Sequence, residues 1–181
     1  MKTPTIKTLL PYAGLPVLCL AFFLWGRQGL PLVEVLNYEL LIIFGYVLAL
    51  HDLKYQIVPN ITLLVMLAVW CMTRIPVFIS DFTYGLQLLM ASALGGFIGG
   101  GVFLIVYALS KKGLGAGDVK FMAVAGLYLG YNLVLSSMLL GSVLSAITGL
   151  VLLCFKKINK KDAIPLVPFL YVGILLTIFL Q

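Results

Sequence analysis

The chain has 181 residues, of which 62% are hydrophobic and 10% charged, with a mean hydropathy of +1.15. A water-soluble domain needs far more polar side chain to cover its surface, so the composition points to lipid as the solvent and leaves no room for a separate soluble domain. The net charge of +6 does not call for a nucleic-acid partner, because the basic residues fall in short segments between apolar runs.

A spanning helix needs roughly 20 mostly apolar residues. The first candidate is Leu9–Trp25, preceded by Lys2 and Lys7 in the manner of a signal peptide. Gly26-Arg27-Gln28 follows it without a small-x-small cleavage pattern, so it reads as a retained helix. Tyr38–Leu50, Ile61–Ile79 and Tyr84–Leu109 come next, separated by Pro59-Asn60 and Ser80-Asp81. After the glycine-rich Gly113–Gly117 come a short run, Phe121–Gly130, then Leu133–Phe155 and Pro165–Leu180. The expected architecture is an all-α, polytopic membrane bundle of six or seven spanning helices, with residues 1–181 as a single domain.

Lysine and arginine favour cytoplasmic loops. With the N-terminus inside, the inner loops hold Lys2, Lys7, Lys54, Lys111, Lys112, Lys120, Lys156, Lys157, Lys160 and Lys161, and the outer ones hold only Arg27 and Arg74. That orientation places Asp52 and Asp118 at the cytoplasmic ends of their helices. Small residues recur at every fourth position as Ala91, Gly95, Gly99, as Ser92, Gly96, Gly100, and as Ser137, Gly141, Ser145, Gly149. The spacing lets helices approach closely in lipid and is read as packing. Cys19, Cys71 and Cys154 are dispersed in apolar runs and read as small buried residues, with no metal-ligand spacing among them.

The chain contains six acidic residues. Glu34, Glu39 and Asp81 read as solvated charges on the outer face, and Asp162 as balance for Lys160 and Lys161. Asp52 and Asp118 lie at the ends of apolar runs, where a charge is costly. Each is followed two residues later by a lysine, so a simple interfacial ion pair with Lys54 or Lys120 is one account of them. Their settings suggest another. Asp52 opens a segment that leaves its helix and runs into Pro59-Asn60. Asp118 closes Gly113-Leu114-Gly115-Ala116-Gly117, whose glycines let the backbone pass close to another helix or to a substrate. Two facing carboxylates can share a proton, one activating water while the other polarises a carbonyl. No Ser–His or Cys–His pair competes; His51 is the immediate helical neighbour of Asp52, points elsewhere, and reads as an interfacial polar residue.

At these residues the chain resembles the type IV prepilin peptidases, a family of GxGD membrane aspartic proteases. The resemblance rests on Asp52 with Ile57-Val58-Pro59-Asn60, on Gly113–Lys120 with Ala123, Gly126 and Gly130, and on Ile164-Pro165-Leu166-Val167-Pro168-Phe169-Leu170 with Gly173. It implies a protease of the bacterial cytoplasmic membrane that cleaves the short basic leaders of prepilins or pseudopilins at the cytoplasmic face. Asp52 and Asp118 match the two catalytic aspartates, and Gly115 and Gly117 match the glycines that shape the loop. Lys120 matches a lysine common after the motif, while Lys54, Pro59, Asn60 and Pro165 are further candidates for the active-site loops or substrate contacts. Longer members carry a cysteine-rich zinc-binding insert, and some methylate the new N-terminus with S-adenosylmethionine. With no cysteine cluster in this sequence, no metal, cofactor or methyl transfer is expected.

Two other readings fit paired membrane aspartates. An intramembrane aspartic protease would cut within a transmembrane helix, but the Pro-Asn turn and the interfacial position of both acids argue against it. A small transporter or assembly subunit would bind a cation or partner there, yet such sites lie near the midplane between repeats, and no repeat is present.

Overall fold

The computed structural model describes Phe22 and residues 29–110, 114–156 and 164–180. Among these residues every regular element is helical: α1 Leu32–Tyr55, α2 Asn60–Ser80, α3 Phe82–Leu109, α4 Ala116–Cys154 and α5 Val167–Phe179. The first four are long and apolar enough to cross a membrane, and α5 is a shorter apolar helix of 13 residues. The expected span Leu9–Trp25 lies outside the described residues except for Phe22, which is buried edge-on against Tyr38 and Phe179.

Helix α1 begins six residues before the expected Tyr38 and continues past Leu50 to Tyr55. Glu34, Asn37 and Glu39 interrupt the apolar run in the sequence, but tertiary partners accommodate the first two. Glu34 makes a two-pronged ion pair with Arg74 of α2 at 2.7 and 3.3 Å. Asn37 donates to the Tyr128 carbonyl of α4 at 2.8 Å. The structure corrects three sequence readings. Glu34 is not a free solvated charge, Glu39 is buried, and Arg74 is a buried helical residue rather than part of a loop. Asp81, by contrast, is exposed and caps α3 by accepting from Tyr84 N at 3.0 Å. Asp162 lies outside the described residues. Of the cysteines, Cys71 is half-buried and Cys154 exposed, so neither is the core residue expected; Cys19 lies outside the described residues.

The expected fifth and sixth spans are two arms of α4. The helix is interrupted at Gly130, whose φ of 68° and ψ of 177° are closed to ordinary side chains. The arms fold back on one another there. A Cβ on Gly99 would meet both Met122 O and Val134 Cγ2, one residue from each arm, although a straight helix would set those residues about 18 Å apart.

Glycine determines how closely the helices pack. Gly95 of α3 and Gly126 of α4 meet backbone to backbone, leaving no room for a Cβ on either. Gly141 of the second α4 arm packs against Leu170 and Gly173 of α5 in the same way. The small-residue stripes read from the sequence are therefore helix contacts. Between them, Tyr128 is buried and donates to Met66 O at 2.6 Å, and Trp70 Nε1 donates to Leu127 O at 3.0 Å. These bonds tie α2 to the first α4 arm, which carries Asp118.

Candidate active site

Asp52 sits in the last turns of α1 and is 5% exposed. Beyond Tyr55 the helix stops because Gln56 adopts a left-handed conformation, with φ 52° and ψ 35°, while its N–H bonds back to Asp52 O at 2.8 Å. The chain must then run extended into Pro59, and α2 starts at Asn60. His51 secures this turn by donating from Nδ1 to Ile57 O at 2.7 Å. That role was not visible in the sequence reading of an interfacial polar residue.

Asp118 sits in the first turn of α4, where Gly115 is the residue before the helix. The Gly115 N–H donates to Asp118 Oδ2 at 3.1 Å, and the Asp118 N–H returns to Gly115 O at 3.1 Å. A Cβ on Gly115 would lie 2.9 Å from Asp118 Oδ2, and one on Gly117 would lie 2.9 Å from Val58 Cβ. Absence of side chain at both positions lets the loop fold around the carboxylate and press against the turn after Asp52.

The second Asp52 partner comes from far along the chain. Val167 opens α5, and its N–H donates to Asp52 Oδ2 at 3.2 Å in a buried bond. Each aspartate therefore has one oxygen held by a backbone N–H at the start of a helix. Such termini carry unpaired N–H groups and the positive end of the helix dipole, which offset part of the cost of burying a carboxylate there.

The two aspartates line one open pocket of about 750 Å³. Its wall also contains Ile57, Val58, Leu114, Gly115, Gly117, Ser145 and the stretch Ile164–Leu166. Asn60 and Lys120 stand at the exposed rim, where Lys120 Nζ donates to Asn60 Oδ1 at 3.1 Å.

Of the residues singled out from sequence, Asp52, Asp118, Gly115, Gly117, Lys120, Asn60 and Pro165 are brought together here. Pro59 ends the turn just outside the wall, and Lys54 is exposed with its ammonium 4.9 Å from the centre of the Tyr55 ring. Ser145 was read as packing; it reaches the pocket only because α4 folds back at Gly130. Among the described residues, no group of three or more His, Cys, Asp or Glu side chains is arranged to hold a metal ion. Chemically, the pocket offers two carboxyls beside an open volume able to hold a short stretch of extended chain.

Comparison with known proteins points the same way. A model of the type IV leader peptidase family matches residues 39–150, a stretch that includes both aspartates. A prepilin leader peptidase/N-methyltransferase of Bacillus subtilis (strain 168) is 24% identical over 171 residues, covering 94% of this chain and 66% of that protein. The chain thus spans just under two thirds of that relative's length. No solved structure matches it.

Proposed function

We infer that this chain, which belongs to the type IV leader peptidase family, is an aspartic endopeptidase that removes the short basic leader of type IV prepilins or pseudopilins. The observation carrying this reading is the shared pocket: Asp52 and Asp118 come from different helices, line one open cavity, and each has one oxygen held by a backbone N–H. Two ionised carboxylates brought to about 4 Å would repel by about 4 kcal/mol at an effective dielectric near 20, so the pair favours a single shared proton. The ionised member takes a proton from water, and the protonated member donates to the scissile carbonyl oxygen as the hydroxide equivalent attacks its carbon. Collapse of the tetrahedral intermediate sends a proton to the leaving amine. The leader carboxylate and the free N-terminus of the mature pilin are the products.

The proposed setting is the cytoplasmic membrane, with six or seven spans, the N-terminus inside and the pocket at the cytoplasmic face. The strong bias of lysine toward the predicted inner loops supports that orientation. Because the homologous Bacillus protein is longer, the proposal concerns leader removal alone.

The test is co-expression with a tagged prepilin, scored by the mobility shift on leader loss, for the wild type and for Asp52→Asn and Asp118→Asn. Cleavage by the wild type alone, with all three proteins inserted in the membrane, is the expected result. Retained cleavage by either variant would sink the aspartate pair.

A further inference from the structure

The second arm of α4 brings to the pocket a polar group with no role in the mechanism above. Gly141 packs against Leu170, with a would-be Cβ 2.7 Å from its Cα, and Gly149 faces Ile164, with a would-be Cβ 3.2 Å from Cδ1. Ser145 lies midway between them on the same helical stripe, one turn from each. It is therefore level with the stretch between Ile164 and Leu170, whose Val167 N–H holds Asp52. Ser145 lines the pocket together with both aspartates, Pro165 and Leu166.

On an apolar helix a serine or threonine usually donates to the carbonyl four residues back. Ser137 does so to Leu133 at 2.9 Å, Thr148 to Leu144 at 2.8 Å, and Thr177 to Gly173 at 2.9 Å. Ser145 is one of several hydroxyls on these helices that make no hydrogen bond among the described residues, and it is the one that lines the pocket. Its side chain is half-buried at the cavity wall, able both to donate and to accept.

A peptide entering this cavity in an extended conformation brings unpaired N–H and C=O groups that lose water as they enter. On the α4–α5 side of the cavity the helical backbone is already bonded and the side chains of Ile164, Pro165 and Leu166 are apolar, so Ser145 is the polar side chain that this side supplies. We propose that Ser145 is a substrate-binding residue, its hydroxyl hydrogen-bonding the main chain of the leader segment as it lies between the aspartates and the 164–166 stretch. This rests on the leader-peptidase reading above. Binding of that kind acts on ground state and transition state alike, so it is read in KM rather than in kcat.

Initial rates on a purified tagged prepilin, with the full chain in detergent or proteoliposomes, test the proposal using wild type, Ser145→Ala and Ser145→Thr. Loss of one neutral hydrogen bond should raise KM about three- to tenfold in Ser145→Ala while kcat stays within about twofold. Ser145→Thr, which keeps the hydroxyl, should return KM toward the wild-type value. The thermal transition of both variants should match the wild type, since alanine suits a small-residue stripe. An unchanged KM for Ser145→Ala beside an active wild type overturns the role of Ser145 and leaves the enzyme class standing. So does a fall in kcat alone, or a threonine variant no better than alanine with an unchanged thermal transition. A wild type that leaves several prepilins uncut, while properly inserted, overturns the leader-peptidase reading and this role with it.

Discussion

Replacing Gly117 with alanine adds one methyl group at a point where the first turn of α4, just before Asp118, has no space for it. The new Cβ would stand 2.9 Å from Val58 Cβ and 3.0 Å from Val58 Cγ2. Carbon atoms settle at about 3.5–4.0 Å, so the Asp118 loop and the turn after Asp52 must part by roughly 0.5–1 Å. A rotamer change at Val58 cannot relieve this, because Cβ is fixed to a backbone already committed to the extended entry into Pro59. Gly117 lies in the first turn of α4, where alanine is at least as good a helix former as glycine, so the helix itself is not expected to suffer. The effect should fall on catalysis. A displacement near 1 Å between reacting groups can cost about 100-fold, and a loss of roughly 10- to 100-fold in leader removal is expected. The assay is the initial rate on a tagged prepilin at matched amounts of inserted protein, with a thermal scan in detergent as control. Adding Val58→Gly removes both crowding carbons and should recover most of the lost rate. An unaltered rate for Gly117→Ala, or a double variant no faster than the single one, would refute the idea that this contact sets the spacing of the two aspartates.

Two further outcomes are expected. Lys120→Ala removes the rim bond to Asn60 at 3.1 Å and should slow leader removal about two- to tenfold, far less than either aspartate variant; a rate equal to wild type would take Lys120 out of the site. Arg74→Ala leaves Glu34 in a largely buried setting without its partner, and should destabilise the protein by about 3 kcal/mol or more in detergent unfolding, whereas Arg74→Leu with Glu34→Leu should lie near wild type. Equal loss in the single and double variants would show that the pair is not coupled.

Much of the architecture was legible because its causes are local. Apolar runs identify the helices. Pro59 with its extended predecessor marks the break between α1 and α2, and Gly130 marks the boundary between the expected fifth and sixth runs, where its backbone interrupts α4. Asp52 and Asp118 stood out because carboxylates are scarce and costly beside lipid, and the glycines around Asp118 announced a close approach. The start of α1 was misjudged for the converse reason. Glu34 and Asn37 look like a loop until Arg74 and the Tyr128 carbonyl, remote in sequence, supply their partners.

The sequence by itself determined an all-helical membrane chain with two singular aspartates, since burying a charge or an unpaired backbone group in lipid carries a large penalty wherever it occurs. Only the tertiary structure decided what surrounds those aspartates. The donor to Asp52 is a backbone N–H of Val167, a group that every residue but proline possesses and that no motif can flag. Ser145 belongs to the pocket because α4 reverses at Gly130, and Gly117 is confined because Val58 arrives from the turn between α1 and α2. Such contacts depend on where helices meet, and the pattern along any one of them does not encode that.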